Sequence, residues 1–228
     1  MPYTVQKGDT LFNIASRFGV TVDELLAANP DITDRNSIGL GQSLAIPSQP
    51  DAAPAESPST QQQIAWGAKV SAEFKAKVLQ ITATLGVDPD YLMAAMAFES
   101  GESFSPSIQN PHTGATGLIQ FMPATAANLG TSLAALAGMS AEDQLDYVEK
   151  YFSPHANQLN NLEDVYMAIL WPSAVGKPND QVLFSRPSAT YDNNKGLDTD
   201  NDGKITKADA AAKVQAKLDQ GRQPDLLG

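Results

Sequence analysis

Glu99 is the side chain in this 228-residue sequence best placed to carry a proton to a substrate. Asp88-Pro89-Asp90 reads as a helix start, with Asp88 as cap and Pro89 at the first helical position. Phe98-Glu99-Ser100-Gly101 reads as the end of that helix. Glu99 lies seven residues beyond Leu92, on the face that Leu92, Ala95 and Met96 make apolar. Apolar neighbours strip water from a carboxylate and raise its pKa. The negative end of the helix dipole pushes the same way. A carboxyl held protonated near neutral pH is a general acid. A glycosidic linkage needs such an acid, because its oxygen leaves poorly without a proton. The same spacing also fits a glutamate that reaches off the helix end into water.

A second segment follows: Gly114-Ala115-Thr116-Gly117-Leu118-Ile119-Gln120-Phe121-Met122-Pro123. Its glycines permit tight turns and close backbone approach. Gln120 offers two donors and an acceptor for a sugar amide or hydroxyl, and Pro123 opens a short helix. Taken alone, the segment is equally a Gly-rich turn before a helix. Together, Glu99-Ser100 and the Gly-Leu-Ile-Gln-Phe-Met-Pro run resemble the lytic transglycosylase and goose-type lysozyme superfamily. The likeness extends over about residues 65–190 in organisation and is close over 91–126. It implies a mainly α, lysozyme-like catalytic domain with Glu99 as catalytic acid and Gln120 in the cleft. Ser100, Gly117 and Met122 are its implied substrate-binding neighbours. The family also places a tyrosine in the cleft from a later Ala-Tyr-Asn segment. Tyr166-Met167-Ala168-Ile169-Leu170-Trp171-Pro172 does not match that pattern, and Tyr166 is the candidate for the role. Trp171 reads as a core residue, with stacking on a sugar ring as the other use of its ring.

The resemblance implies cleavage of the MurNAc-GlcNAc β-1,4 bond of peptidoglycan. In a lytic transglycosylase one glutamate acts as acid and then as base, and the muramyl C6 hydroxyl closes a 1,6-anhydro ring. A hydrolytic muramidase calls for a second carboxylate to activate water. Glu102 follows just past the helix end, and Asp143 and Asp164 read as helix-start residues, so none stands out. This leans toward the transglycosylase. A chitinase on a related fold and a non-catalytic, wall-binding phage structural protein are the other readings.

Asp198-Thr199-Asp200-Asn201-Asp202-Gly203-Lys204-Ile205-Thr206-Lys207-Ala208-Asp209 resembles the twelve-residue EF-hand loop. The implied calcium ligands are Asp198, Asp200, Asp202, the carbonyl of Lys204, and Asp209. Asp209 stands where glutamate is usual, which implies a weaker site or a smaller ion. No clear helix leads into the loop. The role expected is structural, pinning the C-terminal helix to the catalytic domain, and no organic cofactor is expected. An acidic, solvated loop without an ion is the alternative.

These residues sit in elements legible from periodicity and caps. Helices are expected over Val70–Leu85, closed by Gly86, from Ser140, over Asn161–Leu170 and over Thr206–Leu218. Strand character is confined to the Gly-rich stretch near 114–121. Residues 63–228 form the catalytic domain. Before it, the Pro/Ala/Ser-rich run SQPDAAPAESPSTQ marks a linker, taken as 48–62.

Residues 1–47 read as strand, helix, helix, strand. Leu11, Ile14, Ala15 and Phe18 recur at helical spacing, Leu25, Leu26 and Ala28 face a second helix, and Asn29-Pro30 stops it. The runs YTVQKGDTLFNIASRFGVTVDELLAANPDI and LGQSLAIP resemble a LysM domain, a small βααβ module that binds N-acetylglucosamine units. By that resemblance its contact loops are Gly8, Asp9, Thr10 and Leu11, with Asn29, Pro30, Asp31 and Ile32.

Net charge of −11 argues against nucleic acid, which needs basic neutralisation. No apolar run reaches membrane-span length. Without cysteines there are neither disulfides nor thiolate metal sites, and His112 and His155 are too scattered for zinc. The N-terminal residues show no secretory signal. The expectation is therefore a protein made in the cytoplasm that reaches the wall through a holin, a phage tail or secretion machinery.

Overall fold

The computed structural model of the protein describes residues 2–6, 11–18, 20, 22–32, 38–47 and 62–228. They divide into two units, Met1–Ser59 and Thr60–Gly228. The expected linker falls outside the described residues as far as Gln61.

The first unit has the expected element order: β1 (Pro2–Thr4), α1 (Leu11–Phe18), α2 (Val22–Ala27) and β2 (Ser43–Ala45). The strands pair antiparallel, with Tyr3 opposite Leu44. Val5, Leu11, Ile14, Ala15, Val20, Leu25, Leu44 and Ile46 form its core. That is a small apolar reserve, and hydrogen bonds supplement it. Asn29 donates its side-chain amide to the carbonyls of Leu25 and Ala45 and accepts the Ala45 N–H at 2.7 Å.

The second unit is mainly α. Its elements are α3 (Ala72–Leu85), α4 (Pro89–Glu99), α5 (Pro123–Asn128), α6 (Leu133–Ala137), α7 (Ala141–Phe152), α8 (Leu162–Leu170), β3 (Val182–Ser185), α9 (Ala189–Asn194), β4 (Lys204–Thr206) and α10 (Lys207–Gly221). The caps follow the sequence. Ser71 accepts the Phe74 N–H and starts α3, and Gly86, at φ +67°, ends it. Asp88 caps α4, Ser140 caps α7, Asn161 caps α8 and Thr206 caps α10.

α4 is the axis of the fold. It packs against α3, α8 and α10. Leu92 to Ala97 are all buried, so α4 is enclosed on every side and not along one stripe as its periodicity suggests. Trp66, fully buried, fixes α10 beside it. Its indole N–H donates to the Lys217 carbonyl at 2.9 Å, and a Cβ on Gly221 would lie 2.3 Å from the ring.

Two expectations are corrected. The 114–121 stretch holds only isolated bridges, Gln109 to Thr116 and Thr116 to Phe121. Strand pairing lies instead between β3 and β4, an antiparallel ribbon bulged between Val182 and Phe184. A helix does lead into the acidic loop: α9 continues through a 3-10 turn, Lys195–Leu197. Among the described residues, no helix is long and apolar enough to cross a membrane.

Candidate active site

Glu99 is the last residue of α4, half-buried, and burial alone raises its carboxyl from the ordinary 4.5 to about 7. Among the described residues its side chain has no hydrogen bond or ion pair. At neutral pH a substantial share of this group is protonated, with its proton uncommitted.

Two tyrosines border it. Tyr166, on α8, is 4% exposed and meets Phe98 edge-on, with ring centres 5.5 Å apart. Burial, and then the charge of Glu99, hold its phenol well above the usual range. Tyr151, on α7, is also raised by burial and by Glu99. Its ring stands edge-on to Phe121, and its hydroxyl donates to the Ala168 carbonyl at 2.8 Å. That carbonyl lies in the last turn of α8. The residue four positions on, the next in line to donate to it, is Pro172, which has no N–H. Sequence reading missed Tyr151, although its position one residue before Phe152 on an amphipathic helix was visible.

The Gly-rich segment is braced by a residue the sequence reading also missed. Gln144, on α7, is fully buried. Its Oε1 accepts the Leu118 N–H at 2.7 Å, and its Nε2 donates to the carbonyls of Pro106 and Leu136. Its signal was a polar residue four positions before Val148, on the apolar stripe of α7. Gly117, at φ +85°, is buried against it, so its role is packing and backbone conformation and not a surface contact. Gln120 is held left-handed at φ +53°, and its amide nitrogen donates to the Gly117 carbonyl at 3.1 Å. Met122 is the N-cap of α5 and is 46% exposed.

Ser100 closes the turn after α4. It is buried, and its hydroxyl accepts the Phe104 N–H at 3.0 Å. Glu102 turns away and forms an ion pair with Lys217 on α10, whose hydrogen bond holds the carboxyl below its ordinary range. Asp164 is buried against Lys207 of α10. Trp171, read as core, is 42% exposed and meets Phe184 edge-on at 5.1 Å. It is the C-cap of α8, at φ −153° and ψ 77°, where the helical conformation ends.

Within the first unit, Gly8, Asp9 and Thr10 lie outside the described residues. Leu11 is buried in the core, so its side chain is not a surface contact, and the Asn29 amide is spent on the fold. Pro30 and Asp31 are exposed and Ile32 is half-buried.

In the acidic loop, Asp198, Asp200 and Asp202 bring ligand atoms within 4.8 Å of one another. The Lys204 N–H donates to the Asp202 carboxylate. Asp209 is not part of this cluster. Its carboxylate accepts from Thr199 and from both the backbone and the hydroxyl of Thr206, completing a capping box for α10.

Residues 3–47 match the LysM domain family, and residues 78–176 match the transglycosylase SLT domain family, a lysozyme-like helical fold. The secreted LysM effector ECP6 of Passalora fulva is 44% identical over 45 residues, which is 20% of this chain and 20% of that protein.

Proposed function

We propose that this chain, an enzyme carrying a LysM domain and a transglycosylase SLT domain, cleaves the MurNAc-GlcNAc β-1,4 bond of peptidoglycan and leaves a 1,6-anhydro product. The observation that carries this reading is Glu99: a half-buried carboxyl at about 7 without a protein partner. Its neighbour Glu102 is tied to Lys217 and held below its ordinary range, so it does not offer a second acid.

Glu99 gives its proton to the glycosidic oxygen as the bond from the muramyl C1 breaks. The resulting carboxylate then takes the proton of the muramyl C6 hydroxyl, and O6 bonds to C1. The proton returns to Glu99 and no water is consumed. Tyr166 lines the cleft wall beside the acid. Gln120 and the exposed Met122 are assigned to substrate contact, on a segment braced by Gln144. The first unit holds the enzyme to its polymer, with Pro30, Asp31 and Ile32 in a contact loop.

Glu99→Gln tests the reading: sacculus clearing is expected to fall by at least about a thousandfold. Mass spectra of digested sacculi decide the outcome. Anhydro-muramyl ends are expected, and products that gain water would make it a hydrolytic muramidase. Clearing of chitin in place of sacculi would make it a chitinase.

The loop 198–209 is assigned to calcium in a structural role. Asp198 is 7% exposed; its Oδ2 accepts from the Tyr191 hydroxyl and the Gly203 N–H, while Oδ1 is buried with no partner. A buried carboxylate oxygen with no donor suits a hard cation. Asp198, Asp200, Asp202 and the Lys204 carbonyl would hold it, with Asp209 acting as cap. Chelator is expected to lower the melting temperature by several degrees, and an unmoved melt would remove calcium from the account.

A further inference from the structure

We propose that the buried Lys207–Asp164 pair couples the cation loop to the cleft, so that filling the loop and binding a glycan strand each favour the other. The proposal rests on the calcium reading of that loop.

Lys207 is the tenth residue of the loop and the first of α10. It is fully buried. Its ammonium pairs with the Asp164 carboxylate and donates to the Lys177 carbonyl at 2.8 Å. The same Asp164 oxygen accepts the Gly176 N–H at 2.7 Å. One ammonium thus grips α8 near its start and the chain just after its exit. Tyr166 lies two residues beyond Asp164 in the gripped helix. α10, which Lys207 opens, also packs along α4, the helix that ends in Glu99.

A buried ion pair is a weak way to hold two helices together, because desolvation offsets most of the attraction. What it does impose is alignment: a displaced ammonium leaves two charges unpaired in the interior. The loop fixes where that ammonium stands. Asp198, Asp200 and Asp202 close on a cation, and with it empty their charges repel. β4, immediately upstream of Lys207, moves with them. Lys207 and Ala208 are further tied through their N–H groups to the carbonyls of Gln181 and Asn179. A shift of the loop is therefore passed to Asp164 and along α8 to Tyr166. Linkage makes the effect reciprocal, so an occupied cleft must strengthen cation binding.

The test is calorimetric titration of calcium into the metal-free full chain carrying Glu99→Gln, with and without soluble glycan-strand fragments that this variant does not cut. Calcium affinity is expected to rise about five- to tenfold when the fragments are present. Adding Lys207→Met and Asp164→Leu together removes both charges and leaves neither unpaired. That variant is expected to bind calcium and fragments independently. Equal coupling with and without the pair, or calcium binding in the parent that fragments do not change, overturns the coupling and leaves the calcium reading intact. No calcium uptake by the parent overturns both. Hydrogen exchange on the unmutated pair needs no folded variant: calcium is expected to slow exchange of the α8 amides around Tyr166, and unchanged exchange overturns the coupling.

Discussion

The side chain of Gln144 occupies the space in which a Cβ on Gly117 would stand, with its Oε1 only 2.2 Å from that position. Gln144 cannot give way, because its amide is bonded to Leu118, Pro106 and Leu136. Gly117→Ala is therefore expected to cost about 2–4 kcal/mol, from overpacking and a left-handed backbone together. Activity is expected to fall with it, because Gln120 hangs from the same turn. Urea unfolding checks this, and a variant as stable as the parent would refute the fit.

Glu99 makes stability depend on pH in a direction that can be worked out. The unfolded chain loses this proton near 4.5 and the folded chain near 7, so between those values the folded state holds more protons. Stability is fully present below 4.5 and declines as pH rises to about 7. The upper bound is about 3 kcal/mol, reduced by the group's partial exposure. Glu99→Gln is expected to flatten this window and to be more stable than the parent at pH 7.5. Paired urea curves at pH 4.5 and 7.5 measure it, and an identical pH slope in both proteins would contradict a raised carboxyl.

Glu102 stands three residues after the acid but serves α10 through Lys217. Glu102→Gln is expected to change the turnover of sacculi by no more than about twofold, as for loss of a solvent-screened ion pair. A hundredfold loss would give it the role of a second carboxylate and favour a hydrolase.

Trp66 joins the start of the second unit to α10, and truncation leaves a large void. Trp66→Ala is expected to cost about 3–5 kcal/mol. Thermal melting with intact Glu99 reports it, and a loss below about 1 kcal/mol would mean that α10 is held by other contacts.

Local signals made much of this structure readable. Asp88-Pro89 and Ser140 mark helix starts because capping is decided within one turn. The βααβ order of the first unit follows from apolar spacing in the same way. Glu99 was legible because a helix end, an apolar run and a carboxyl coincide within eleven residues. What depends on distant partners was not. Nothing local shows that Lys207 is buried beside Asp164, or that Gln144 reaches Leu118, Pro106 and Leu136. The strand Val182–Ser185 is too short and too bulged to alternate, and becomes a strand only beside β4.

The bond from Tyr151 to Ala168 has a consequence for how this cleft can vary. With Pro172 unable to donate, the Ala168 carbonyl in the last turn of α8 is satisfied by a side chain borrowed from α7. The two helix ends are therefore joined by a hydroxyl beside Glu99. Redesign of the α7 surface that keeps Tyr151 leaves the wall behind Tyr166 in place. Exchange of that one oxygen for a hydrogen removes this bond and leaves every other side chain of the two helices unchanged.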